Sequence, residues 1–336
     1  MKAPLVLAAD VGGTKTSLVL VPAPEAGRLG DPVAIETHRS ADFPSLQAML
    51  DAFLASAGAA ASPASATIGF AGPIAQGRGE GTNVPWSVDA AALARHFGLS
   101  NVGLVNDLVA TAYGIPALGD GALAPLLPGE PDREGNAAVI AAGTGLGEAI
   151  LARVGTEWIP VASEGGHADF APRTDAELDV WTAMRTRHGR VSVERVLSGP
   201  GLRNIAEVIH ARDDAAAAWA SHVREAGGEE ELPGVVSRLG LAGACDACRD
   251  SLEIFAGIYG AEAGNLALRG MATAGVYLGG GIAPRLLEAL KGDAFERAFR
   301  DKEPHAAFLA AIPVRLILDD RAALWGAARH ASLALP

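Results

Sequence analysis

The sequence predicts an α/β protein built as two units with a cleft between them, and three observations carry that expectation. Short apolar runs ending in glycine or an acid alternate with stretches whose apolar residues recur at helical spacing. A chain of 336 residues exceeds the size at which a single core keeps growing. A strand, glycine turn, strand plan occurs twice, once over residues 5–21 and again over 137–154, which suggests two similar half-units. Clefts between such units are where small ligands sit.

Composition narrows the partners. The formal net charge of -12 argues against a nucleic-acid surface, which needs a clustered basic face, so any phosphate is expected to be bound locally. Cys245 and Cys248 are the only cysteines, so no disulfide framework is encoded, and a reducing compartment, the cytoplasm, is expected. The uncharged stretch 52–77 is rich in Ala, Ser, Gly and Pro and lacks the sustained Leu, Ile and Phe content of a membrane span. No long apolar leader precedes the first strand, so neither membrane nor export is expected.

In chain order, residues 5–9 read as a strand, Asp10-Val11-Gly12-Gly13-Thr14-Lys15-Thr16 as a glycine turn, and 17–21 as the returning strand. Gly12 and Gly13 permit close approach and positive φ, so successive N–H groups can face a phosphate beside the Thr14 and Thr16 hydroxyls. Asp10 then stands at the phosphate end as a ligand to a metal-bound water. A plain glycine hairpin is the other reading, and the turn is not a Walker loop. Helices are expected over 44–56 and 88–97, a strand over 66–70, and polar groups with an aromatic at the cleft edge over 82–86. Residues 102–105 read as a buried strand that stops at Asn106-Asp107. Asn106 can donate and accept toward neighbouring hydroxyls, and Asp107 can take a proton from one, though both residues also suit a helix N-cap.

The second half opens after residues 119–136, a Gly-, Pro- and charge-rich connection. Gly143-Thr144-Gly145 forms the second glycine turn, and two opposed turns could grip one polyphosphate. Glu164 and His167 lie in a glycine-flanked turn, and Glu194 lies among apolar neighbours in a short helix over 192–197 that runs into a loop. Residues 206–231 read as exposed helices without chemistry, and Cys245 and Cys248 as packed free thiols, a single C-x-x-C being weak support for zinc. A long helix is expected over 250–268 and a strand over 274–278. Gly279-Gly280-Gly281 follows, bare enough for a flat base to lie against. A strand over 314–318 and a helix over 321–332 close the chain.

Taken together, AADVGGTKTSLVL, GFAGPI, TNVPWS, LVNDLVATAYGIP, AAGTGLGEAIL, SEGGHADFAP, ERVLSGPGL and YLGGGIAPR resemble, in order, the bacterial glucokinase family of the hexokinase, actin and heat-shock-protein-70 superfamily. The resemblance implies two actin-like (ribonuclease H-like) domains, a small one of residues 1–113 with 318–336 and a large one of 114–317. It implies Asp107 as catalytic base, with Asn106 on the 3-, 4- and 6-hydroxyl side of glucose and Glu164, His167 and Glu194 on the 1- and 2-hydroxyl side. Asp10, Val11, Gly12, Gly13 and Thr14 match the first phosphate loop, Gly143, Thr144 and Gly145 the second, and Gly279, Gly280 and Gly281 the adenosine site. ATP and Mg²⁺, the latter held through water by Asp10, are the implied cofactors, and a homodimer is the expected assembly. The C-x-C-G-x-x-G-C zinc cluster of the related repressor and sugar-kinase group is absent from the sequence.

The implied activity is ATP:glucose 6-phosphotransfer. A sugar-responsive regulator would need a DNA-reading module, for which the residues before Leu5 leave no room. A polymerising or chaperone-type relative would share the glycine turns but not the set Asn106, Glu164, His167 and Glu194.

Overall fold

The structure, a computed structural model, describes residues 3–23, 29–58, 61–81, 84, 86–212 and 215–335. Thr82, Asn83 and Pro85, expected at a cleft edge, lie outside the described residues. The chain divides into two compact units, Met1–Ala122 with Asp319–Pro336, and Leu123–Leu318.

In the first unit, strands β1 (Leu5–Val11), β2 (Lys15–Pro22) and β3 (Ala34–Arg39) form an antiparallel meander. Helix α1 (Leu46–Ala57) leads to β4 (Pro63–Phe70). A ribbon of β5 (Ile74–Ala75), β6 (Arg78–Glu80) and β7 (Ser87–Asp89) follows, then α2 (Ala90–Phe97), β8 (Val102–Asn106) and α3 (Asp107–Gly114). The sheet order is β3-β2-β1-β4-β8, with β1, β4 and β8 parallel. Both faces of β1 are covered, which is why it reads as a continuous apolar run. Leu7 and Ala9 join the core under α1 and α2, while Val6 and Ala8 pack under the C-terminal helix Ala322–Leu333. Helix α1 buries Leu46, Met49, Leu50 and Phe53, one helical stripe, and Ser45 caps it by accepting from Ala48 N–H at 3.1 Å.

Helix α3 and the C-terminal helix cross backbone to backbone. A Cβ on Gly326 would lie 1.7 Å from the Ala110 carbonyl oxygen, and one on Gly114 would lie 2.1 Å from that of Ala322. This crossing seats the helix that carries Asp107. It also keeps residues 114–122, expected in the second unit, with the first.

The second unit repeats the plan with additions. It contains β9 (Leu123–Leu127), β10 (Ala137–Ala142), β11 (Leu146–Val154), β12 (Glu157–Ser163), α4 (Asp175–His188), α5 (Gly199–Arg212), α6 (Ala216–Ala226) and α7 (Leu232–Leu241). There follow α8 (Asp246–Gly270), β13 (Gly275–Gly279), α9 (Leu287–Leu290), α10 (Asp293–Arg300), α11 (Ala306–Ala311) and β14 (Val314–Ile317). The order β12-β11-β10-β13-β14-β9 reproduces the meander followed by parallel strands. The expected connection at 119–136 therefore hides a strand, β9, which pairs antiparallel with β14; its Pro125 is tolerated at the sheet edge. Buried Tyr259 on α8 donates to the carbonyls of Ile140 and Gly279 at 3.3 and 3.4 Å, tying that helix to β10 and β13.

Candidate active site

In the first unit the strand ends bring three predicted residues together. Asn106 closes β8 and its Oδ1 accepts from Leu108 N–H at 2.9 Å, so it caps α3, leaving the Nδ2 amide to donate elsewhere. Asp107 opens α3, and its Oδ1 accepts from the same N–H at 2.8 Å. Burial pushes the Asp107 carboxyl above its ordinary value, against the Leu108 N–H and the Asn106 amide, which pull it down. Asp10, in β1, is pushed up to about 6, by burial first and by the Asp107 charge second; Lys15 opposes this and Asp320 adds to it. Lys15 reaches Asp320 at 3.3 Å. Three carboxylates thus face a single ammonium here, an oxygen-rich, under-neutralised set that suits a hard divalent cation.

The first glycine turn differs from expectation in two respects. Gly12 and Gly13 keep φ outside the left-handed region. What Gly12 supplies is room, since a Cβ would stand 3.0 Å from the Lys15 carbonyl oxygen. Gly12 N–H is also consumed within the turn, donating to Lys15 O at 3.0 Å, so among the described residues the donors left there are Gly13 and Thr14. Thr16 is buried and bonds Ser40 Oγ at 3.0 Å, and Ser40 donates to Gly12 O at 2.7 Å. Thr16 therefore braces the turn through Ser40.

In the second unit the turn Gly143-Thr144-Gly145 and Glu194 form one structure. Glu194 Oε2 accepts from Leu146 N–H at 2.9 Å, and a Cβ on Gly145 would lie 2.6 Å from that oxygen. Glycine is required there for the carboxylate to sit on the turn. Gly143 N–H is spent on Gly145 O at 2.8 Å, leaving Thr144 and Gly145 as donors. His167 stands between two carboxylates, its Nδ1 3.9 Å from Glu194 and its Nε2 3.9 Å from Glu164. Those separations exceed hydrogen-bond length, so the three groups are gathered without consuming one another. A 3-10 turn, Gly165–His167, carries His167 and is preceded by Glu164, and Arg190 donates to the His167 carbonyl at 3.1 Å.

The segment carrying Glu194 corrects the expected short helix followed by a loop. Val193–Arg195 is a single 3-10 turn, and α5 begins at Gly199, with Ser198 Oγ accepting from Gly201 N–H at 3.0 Å. Gly199 N–H donates to Gly143 O at 2.8 Å, joining α5 to the turn. The triple glycine lies beside the same turn. Gly280 has φ +82, and a Cβ would stand 2.3 Å from the Ala142 carbonyl oxygen, so this position admits glycine alone.

The profile of the glucokinase family matches residues 7–334 of the chain. The chain belongs to the glucokinase family. A glucokinase of Chromobacterium violaceum is 40% identical over 324 residues, covering 96% of this chain and 88% of that one. The crystal structure of a glucokinase from an Antarctic psychrotroph superposes with a TM-score of 0.86 at 30% identity, covering 98% and 99% of the two chains. A ROK family glucokinase from Streptomyces griseus, solved in complex with glucose and AMPPNP, shares the fold at a TM-score of 0.63 and 22% identity, covering 98% and 100%.

Members of the glucokinase family are sugar kinases of the actin-like ATPase fold, and the repeated meander with parallel strands in both units is that architecture. Sequence reasoning did not identify Ser40, Arg190 or Asp320, which brace or charge the turns of this chain. Asp320 carried a signal, since an Asp-Asp pair stands just beyond the last strand, much as Asn106-Asp107 stands at the end of β8. Ser40 and Arg190 carried none. Among the described residues, no helix is long and apolar enough to cross a membrane.

Proposed function

We propose that the protein transfers the γ-phosphoryl group of ATP to the 6-hydroxyl of D-glucose, forming glucose 6-phosphate, with Asp107 as general base. The observation that carries this is the desolvated Asp107 carboxylate held at the carboxyl end of β8 by the first turn of α3. Asp107 takes the 6-hydroxyl proton as that oxygen attacks phosphorus. The Asn106 amide donates to neighbouring sugar hydroxyls, and Glu164, His167 and Glu194 hold the 1- and 2-hydroxyls. The N–H groups of Gly13, Thr14, Thr144 and Gly145 face phosphoryl oxygens, and the adenosine lies against Gly279–Gly281. Val11 ends β1 and sets where the first turn starts. Asp10 would hold Mg²⁺ through water, and the ion would offset charge on the phosphoryl oxygens. The cytoplasm, which supplies ATP and keeps thiols reduced, is the proposed location. The homodimer rests on the family resemblance, and light scattering tests it.

Coupled phosphorylation over a panel of hexoses and phosphate donors tests the reaction, and Asp107→Asn tests the base. Asparagine preserves size and the cap but cannot take a proton, so kcat should fall about 10²- to 10⁴-fold, with glucose Kd changed far less. Turnover within a few-fold of the parent, in a folded variant, would remove Asp107 from the chemistry.

A further inference from the structure

Residues 206–231 and the C-x-x-C pair, which the sequence leaves without chemistry, meet in space. His210 is on the last turn of α5, His222 is on α6, Cys245 is the N-cap residue of α8, and Cys248 lies in its first turn. One ligand atom from each lies within 4.8 Å of all the others. His210 Nε2 is 3.6 Å from Cys245 Sγ and 3.7 Å from Cys248 Sγ. A tetrahedral ion with Zn–S of about 2.3 Å and Zn–N of about 2.0–2.1 Å sets its N and S ligands about 3.5–3.6 Å apart. His210 therefore stands at metal-shell distance from both sulfurs, with His222 gathered within 4.8 Å of the set.

Two further features point the same way. His210 Nδ1 lies 2.6 Å from the Ala206 carbonyl, an acceptor that fixes the proton on Nδ1 and turns the Nε2 lone pair toward both sulfurs. This is the outer-shell contact by which a metal-bound histidine is usually oriented. His222 Nε2 is buried without a hydrogen-bond partner. An ion would satisfy it, whereas two packed thiols leave it unmet.

We propose that His210, His222, Cys245 and Cys248 bind one Zn²⁺ that staples α5, α6 and the start of α8. Two thiolates and two imidazoles select zinc over the hard cations that suit carboxylates. Four protein ligands close the shell and leave no position for substrate, so the role is structural. His210 stands eleven steps along α5 from Gly199, about 16 Å along the helix, so the ion does not touch the turn at Gly143. It does anchor the far end of the helix whose first N–H bonds that turn.

Untagged full-length protein purified without chelator should carry about one zinc per chain by elemental analysis. Co²⁺ exchanged into the chain should show the visible bands of a tetrahedral ion together with thiolate-to-cobalt charge transfer. Cys245→Ser separates the zinc site from a mere cap. Cys245 Sγ accepts from Cys248 N–H at 3.2 Å, and serine caps as well or better. A capping role alone leaves the melting temperature unchanged or raised. The zinc site requires that Cys245→Ser lose the metal, melt lower, and no longer respond to a chelator that lowers the melting temperature of the parent. His222→Gln should lose zinc as well. Zinc below about a tenth per chain with no tetrahedral Co²⁺ spectrum would overturn the proposal, as would a Cys245–Cys248 disulfide in freshly purified protein.

Discussion

Glu148 on β11 is buried, and its Oε1 has no hydrogen-bond partner. Burial first and the Glu262 charge second push its carboxyl up to about 7 from an ordinary 4.5, with Arg269 pulling it back. Arg269 is already committed to Glu262 at 2.7 Å, so burial wins. Below pH 4.5 both folded and unfolded chains hold the proton. Between 4.5 and 7 the folded chain keeps a proton that the unfolded chain has lost, so stability falls as pH rises, and above 7 the loss is complete. Its full size is about 3 kcal/mol, of which about 2.5 falls between pH 5 and pH 8. Glu148→Gln is neutral throughout and escapes this loss. Its extra N–H₂ adds a cost of about 1–3 kcal/mol if unpaired, but one that does not vary with pH. Urea unfolding of both proteins at pH 5 and pH 8 should therefore show the variant gaining about 2.5 kcal/mol on the parent as pH rises. A difference that stays constant, or moves the other way, would mean that the ionised carboxylate shares Arg269, and would refute the argument.

Three other substitutions read different parts of the structure. On the proposed function Glu164 accepts from the sugar in ground and transition states alike, so for Glu164→Gln steady-state kinetics should show glucose KM rising with kcat little changed. Gly145→Ala places a methyl 2.6 Å from Glu194 Oε2 and should lift that carboxylate off Leu146 N–H. Losing a charged hydrogen bond of about 1.5–3 kcal/mol predicts about a 10- to 100-fold rise in glucose KM, and an unchanged KM would detach Glu194 from the sugar. Gly326→Ala forces a Cβ to within 1.7 Å of the Ala110 carbonyl, where only backbone can give way. Its melting temperature should fall by an amount equivalent to about 1–3 kcal/mol, with kcat reduced because α3 carries Asp107.

The features readable from sequence are those set by short-range patterns. The run 102–105 ending at Asn106-Asp107 forms β8 and the start of α3, because a strand is marked by uninterrupted apolar residues and a helix start by a capping side chain; the expected full burial is not met, since β8 is an edge strand and only Val102 is buried. The repeated strand, glycine turn, strand plan becomes two matching meanders for the same reason. Strand β9 escaped because pairing with β14, nearly two hundred residues away, rather than its own composition, makes it a strand.

Side-chain contacts over long sequence separations belong to the tertiary structure alone. Sequence marks Gly145 and Glu194 as separate features, yet the fold makes the first a condition of the second's position. It marks Gly12 as a phosphate donor, but the closed turn has already spent that N–H on Lys15. The spacing of His210, His222, Cys245 and Cys248 resembles no simple metal pattern, because three separate helices bring those ligands together in the fold. Local periodicity specifies which face of each element is buried; which polar atoms then meet depends on how the buried faces pack.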